Sequence, residues 1–172
     1  MPEVDLGRIP VPTHALKDGG PYFSNCIIVA KDPDTGVRNT SIHRLMVTGT
    51  DRLGLLMDMG RHLRNYYERA EAKGEPLEIT INNGLHPAYF VAATTPSSAA
   101  PIDVDELAVA SYLLGEPARL CRSKTVSVEG LADAQMIMEA EILPYVREPE
   151  GPFGEVSGYY ATRDDRWVVH VK

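Results

Sequence analysis

Between Val37 and Val47 the chain has the flanks of a β-strand, yet its middle reads Asn39-Thr40-Ser41-Ile42-His43-Arg44. An amide, hydroxyls, an imidazole and a guanidinium are each costly to bury without a partner. A fold that takes this strand inside must therefore provide polar partners or a polar ligand. The other reading is an ordinary solvated strand face, with Asn39, Ser41 and His43 alternating against Ile42. The strand by itself leaves both open.

Its surroundings are strand-rich. Tyr22 to Ala30 is apolar and β-branched, and Asp32-Pro33-Asp34-Thr35-Gly36 is a turn, so a hairpin is predicted with the polar run on its second arm. The prolines and the Asp18-Gly19-Gly20-Pro21 turn make residues 1–21 an extended lead-in. Leu56, Met59, Leu63, Tyr67 and Ala70 recur at helical spacing and predict a helix from a cap at Asp51 to Gly74. Leu77, Ile79 and Ile81 alternate as a strand that Asn82-Asn83-Gly84 ends, and Pro87 to Ala93 reads as a short helix. A second helix is predicted from Asp103 to Leu114, with acids in its first turn and a stop at Gly115 and Pro117. Arg119–Val128, Gln135–Ile142, Gly158–Thr162 and Arg166–Val171 read as strands between Gly, Asp and Pro turns. Hairpin-linked strands with inserted helices point to an α+β domain on an antiparallel barrel or sheet.

With 172 residues, 44% of them hydrophobic, the chain suits one core. The formal charge of -7 comes from dispersed acids, and no Lys/Arg cluster appears. A nucleic-acid or anionic-membrane partner is therefore not expected. No apolar run is long enough to span a bilayer and no leader pattern opens the chain, so a cytoplasmic location is expected. Cys26 and Cys121 lack metal-ligand spacing and read as two buried thiols.

Four further features carry both bland and chemical readings. His62 sits beside the helical stripe, as a boundary histidine would, and Glu106 fits a carboxylate at a helix N-terminus. Thr94 to Pro101 is a linker, or a loop whose hydroxyls and amides wrap an anion. Pro149 to Glu155 is an acidic turn, or a stiffened loop whose two carboxylates divide acid and base roles.

Taken in order, these pieces resemble the UbiD family of reversible decarboxylases that use prenylated flavin mononucleotide (FMN). The resemblance runs through Asp18-Gly19-Gly20-Pro21-Tyr22, Lys31-Asp32-Pro33, Thr35-Gly36, then Asn39, Ser41, Ile42 and Arg44, and Arg61-His62. It continues in Ser97-Ser98 to Pro101, in Glu106 ahead of Leu114-Gly115-Glu116, and in Glu150-Gly151-Pro152-Phe153-Gly154-Glu155-Val156-Ser157-Gly158-Tyr159. It implies a split β-barrel related to flavin reductases, and it favours the chemical reading of all four features.

The resemblance implies that Asn39, His62 and Glu106 hold a divalent metal, manganese or magnesium, next to the cofactor phosphate. Amide, imidazole and carboxylate ligands suit such a cation. A potassium ion on backbone carbonyls is implied nearby. Ser41, Ile42, Arg44, Arg61, Ser97, Ser98 and Pro101 fall in the cofactor-contacting stretches, and Arg44, Glu150 and Glu155 match the family's catalytic set. Asn39 and Arg44 are an odd number of residues apart. A regular strand sends such a pair to opposite faces, unless a bulge intervenes.

Family members are usually more than twice as long, with domains flanking the flavin-binding one. Residues 22–172 are accordingly expected to be the central cofactor-binding domain, excised or working beside missing domains or a partner subunit. A small carboxylic acid substrate and a flavin prenyltransferase as cofactor source complete the expected partners. Two rival classes are a non-catalytic flavin- or metal-binding module and an FMN-dependent oxidoreductase on the same barrel.

Overall fold

The computed structural model describes residues 4–172, so the first three residues of the expected lead-in lie outside the described residues. Ten strands and three helices follow in chain order: β1 (Tyr22–Lys31), β2 (Arg38–Val47), β3 (Arg52–Leu55), α1 (His62–Ala72), β4 (Leu77–Asn83), α2 (Pro87–Ala93), α3 (Leu107–Leu114), β5 (Leu120–Cys121), β6 (Gly130–Leu131), β7 (Met136–Glu150), β8 (Phe153–Gly154), β9 (Tyr160–Ala161) and β10 (Asp164–Val171). Six of the strands close an antiparallel barrel in the order β1-β2-β3-β10-β7-β4, and β5-β6 and β8-β9 form small separate ribbons. The predicted α+β barrel with inserted helices is what the chain forms.

Alternation along β1 and β2 divides the core in two. Phe23, Cys26, Ile28, Ala30 and Leu45 point into the barrel with Leu53, Leu55, Ile79, Ile81, Ala140 and Val169. Ile27 and Val29 point the other way, under Tyr89 and Ala92 of α2 and Leu107 and Ala110 of α3. Helix α1 lays Leu63, Tyr66, Tyr67 and Ala70 against the barrel core, the i, i+3, i+4, i+7 stripe of an amphipathic helix.

The structure corrects several boundaries. The helix predicted from Asp51 begins only at His62, because Arg52–Leu55 is a barrel strand. Leu53 and Leu55 pair with Val47 and Leu45 on one side and with Val169 and Trp167 on the other. Those long-range ladders satisfy the backbone, whereas a helix here would carry Gly54 at a cost of about 1 kcal/mol. Met59, assigned to the apolar stripe, is 83% exposed. Helix α3 starts at Leu107 rather than Asp103, with Asp105 Oδ1 accepting from the Leu107 amide at 2.9 Å.

Strand β4 runs on to Asn83 because Asn82 and Asn83 pair with Ile137 and Met136. The predicted strand at 119–128 survives only as Leu120–Cys121, and Cys121 is half-buried while Cys26 is buried. The segment expected to stop at Ile142 continues to Glu150, bending where Tyr145 adopts a φ of 60° and the register against β10 shifts. Part of the extended lead-in is a 3₁₀ turn at Leu6–Arg8, and Leu6 is buried in the barrel core.

Candidate active site

Strand β2 presents two chemically different faces. Asn39, Ser41 and His43 pair with Ala30, Ile28 and Cys26, three members of the barrel core, so they share the inward face. Thr40 and Ile42 pair with Val29 and Ile27 of the outer cluster, and Arg44 follows them on the outward face. Asn39 and Arg44 therefore project oppositely, as strand parity requires. The register shift beside Arg44 lies in β1, between Phe23 and Cys26, and leaves the alternation of β2 intact.

On the outward face Arg44 joins two carboxylates. Its Nε and Nη2 donate to Oε1 and Oε2 of Glu150, each at 3.0 Å, in the bidentate geometry that suits a guanidinium. Nη1 donates to Oε1 of Glu155 at 2.6 Å. The Glu150 side chain is fully buried, that of Arg44 is 8% exposed and that of Glu155 is 43% exposed, so the network runs from interior to solvent. Glu150 is the last residue of β7 rather than a loop residue, and Glu155 follows β8.

The network has supports that sequence reasoning missed. Tyr22 donates its hydroxyl to Glu150 Oε1 at 2.9 Å. Burial, reinforced by the Glu150 carboxylate, pushes the Tyr22 pKa up, so it stays a neutral donor. The Phe153 ring packs 4.6 Å from the Tyr22 ring and 5.0 Å from the Arg44 guanidinium. Gly54 makes room for Glu150, since a Cβ there would lie 3.0 Å from Glu150 Cγ. Asp18 fixes the acidic loop by accepting from Gly154 N at 2.8 Å, and a Cβ on Gly19 would lie 2.3 Å from the Gly151 oxygen. The turn at Asp18-Gly19 carried the available signal, but its partner is more than a hundred residues away in the chain.

At its free edge β2 meets the first residues of α1 and the N-cap of α3. Asn39 Nδ2 donates to Glu106 Oε1 at 2.8 Å, the Thr40 amide donates to Glu106 Oε2 at 2.8 Å, and His62 Nδ1 lies 3.4 Å from Glu106 Oε1. Asn39, His62 and Glu106 thus converge, with Glu106 at the N-cap of α3 and His62 opening α1. Among the described residues no three His, Cys, Asp or Glu side chains gather, and the groups that converge here are one amide, one imidazole and one carboxylate. That mixed set of mostly hard donors suits a small divalent cation.

A cleft of about 90 Å³ opens between β2 and the end of α2, lined by Ser41, Ile42, His43, Arg61, Ala93 and Thr94. It brings together Ser41, Ile42 and Arg61, and adds His43, Ala93 and Thr94 to the expected set. Pairing of β2 with β3 starts only at Leu45 and Leu55. The Ile42 amide, two residues beyond that of Thr40, projects toward the same open edge. Ser97, Ser98 and Pro101 are exposed in the α2–α3 connection and do not line this cleft.

Comparison with known proteins fits this geometry. The family model for the 3-octaprenyl-4-hydroxybenzoate carboxy-lyase Rift-related domain, UbiD, matches residues 1–172. The chain is 44% identical to the anhydromevalonate phosphate decarboxylase of Methanothermobacter thermautotrophicus over 98% of its own length and 38% of that protein's. It superposes with a TM-score of 0.94 and 48% identity on an evolved dimeric form of the UbiD-class enzyme HmfF from Pelotomaculum thermopropionicum in complex with prFMN. That match covers 99% of this chain and 39% of HmfF. Nitrilotriacetate monooxygenase component B from Bacillus cereus shares the barrel at a TM-score of 0.53 and 14% identity, covering 85% of this chain and 65% of its own. This likeness of fold alone bears out the expected flavin-reductase-type split barrel. The chain spans under two fifths of the length of the relatives HmfF and the phosphate decarboxylase. It belongs to the UbiD family, whose Rift-related domain the family model matches along the whole chain.

Proposed function

We propose that this chain is the prenylated-FMN-binding central domain of a decarboxylase that acts on an aromatic or α,β-unsaturated carboxylic acid in the cytoplasm. The observation that carries the reading is the Arg44 guanidinium held between a buried Glu150 and a partly exposed Glu155. Prenylated FMN, when bound, supplies a 1,3-dipole for cycloaddition to the substrate's unsaturated bond and an electron sink as carbon dioxide leaves.

The chain's own residues do the proton work. Glu150 is locked by Arg44 and Tyr22, so it serves as the fixed anchor of the guanidinium. Glu155, on a short loop and open to solvent, delivers the proton that forms the new C–H bond as the bond to carbon dioxide breaks. Its carboxylate is then received by Arg44 Nη1, and solvent restores the proton. Asn39, His62 and Glu106 would hold manganese or magnesium, whose positive charge would offset that of an anionic cofactor, with potassium as a further cation. Arg61 is exposed, lines the cleft and makes no ion pair among the described residues, which suits a phosphate contact. A flavin prenyltransferase supplies the cofactor, and further domains of the enzyme or a partner subunit close the pocket. This domain alone leaves the site open to water, so its own turnover is expected to be weak or absent.

The test is anaerobic binding of prenylated FMN with manganese, followed by absorbance spectroscopy. The expected result is metal-dependent binding that a His62→Ala, Glu106→Ala variant loses. Binding that ignores both the metal and the variant overturns the reading, and nicotinamide oxidation by the pure protein favours an FMN oxidoreductase instead.

A further inference from the structure

Asn39, Ser41 and His43 stand in a row on the inward face of β2 and make a chain of polar contacts. His43 Nδ1 lies 3.0 Å from the Leu56 carbonyl oxygen, and His43 Nε2 lies 3.1 Å from Ser41 Oγ. The same Oγ lies 3.1 Å from Asn39 Oδ1. Across the strand pair the face meets Ala30, Ile28 and Cys26, which bring no side-chain oxygen or nitrogen.

Proton counting decides how this row is arranged. A carbonyl oxygen only accepts, so His43 Nδ1 carries the ring proton and donates it to Leu56. Burial holds the His43 pKa down to about 4, with the nearby Arg61 adding to the effect. The ring is therefore neutral near pH 7, and Nε2 is a bare acceptor. Ser41 has one hydroxyl proton for two acceptors, Nε2 of His43 and Oδ1 of Asn39. Giving it to Asn39 leaves a buried ring nitrogen without a donor, which costs about 1–3 kcal/mol. Giving it to His43 leaves the lone pairs of Asn39 Oδ1 uncommitted, while Asn39 Nδ2 stays bonded to Glu106.

We infer that His43 is a positioning residue for the cation site: it draws the Ser41 proton to Nε2 and so keeps Asn39 Oδ1 free to ligate a divalent cation. His43 itself touches no cation. Without the imidazole, the Ser41 hydroxyl turns back onto Asn39 Oδ1 and competes with the metal for the same lone pairs. The inference rests on the reading of Asn39, His62 and Glu106 as metal ligands, and it adds a residue outside that set.

The experiment titrates the chain with Mn2+ alone and follows the free-ion signal by electron paramagnetic resonance. His43→Ala is expected to weaken Mn2+ binding by about tenfold or more, the usual scale for losing a group that orients a ligand. Adding Ser41→Ala to that variant is expected to restore most of the lost affinity, because the competing hydroxyl is then gone. A merely structural role for His43 would make the double variant worse still. Equal affinity of His43→Ala and the parent, or a double variant no better than His43→Ala, overturns the inference. Nitrogen-15 NMR of the metal-free parent gives an independent check whether or not the variants fold: protonation of His43 at Nδ1 is expected, and protonation at Nε2 overturns it. A parent with the expected tautomer that binds no Mn2+ instead overturns the metal reading on which the inference stands.

Discussion

Replacing Arg44 with methionine strips the partner from a fully buried carboxylate while keeping most of the side-chain volume. In the parent, Glu150 accepts two bonds from Arg44 and one from Tyr22, and none of its surface reaches water. Breaking a buried pair by removing one member costs about 3–5 kcal/mol, because the other charge is left uncompensated. The bond to the half-exposed Glu155 adds under about 1 kcal/mol, and the contact over the Phe153 ring adds about 1 kcal/mol. The Glu150 contribution dominates. In a domain of this size it corresponds to a fall in Tm of about 6–20 °C. Pairing Arg44→Met with Glu150→Gln removes the orphaned charge and keeps an acceptor for Tyr22. The double variant is therefore expected to recover about 2 kcal/mol or more relative to Arg44→Met. Urea unfolding at pH 7 of the parent, both single variants and the double variant measures the coupling. A loss below about 1 kcal/mol in Arg44→Met, or a double variant no more stable than Arg44→Met, would refute the claim that Glu150 depends on Arg44.

Two further outcomes follow from packing and burial. His43 has a folded pKa of about 4, below the ordinary histidine value, so the unfolded chain takes up its proton first as pH falls. Stability from this group is intact above about pH 6.5 and declines toward pH 4, by about 1.4 kcal/mol per unit and about 3 kcal/mol in all. His43→Gln should flatten the decline between pH 6.5 and 4.5 in urea unfolding; an unchanged slope there contradicts a buried neutral ring. Gly54→Ala places a methyl group 3.0 Å from Glu150 Cγ and 3.6 Å from Thr48 Cγ2, an overpacking expected to cost about 1–3 kcal/mol. Thermal unfolding of that variant at the parent's Tm would show that the barrel accommodates the added carbon.

The hairpin of β1 and β2 was legible because its signals are local: an apolar run, a Pro- and Gly-containing turn and a return strand. Strand β3 was not. Leu53 and Leu55 lie upstream of a true helical stripe, and only pairing to β2 and β10 makes them strand residues. The serine loop shows the reverse difficulty. Its place in the family order marks Ser97, Ser98 and Pro101, and in this fold they stand exposed beyond Thr94, outside the set of residues that lines the cleft with Ser41, Ile42 and Arg61.

By itself the sequence determined that Asn39 and Arg44 part company, since strand parity is a property of the backbone and needs no neighbours. Only the tertiary structure decided what each of them meets. Closing the barrel carried Glu150 across more than a hundred residues to Arg44, and the start of α3 reached the free edge of β2, setting Glu106 beside Asn39 and His62. Contacts of that span are set by the global balance of burial and hydrogen bonding, which no local pattern of residues encodes.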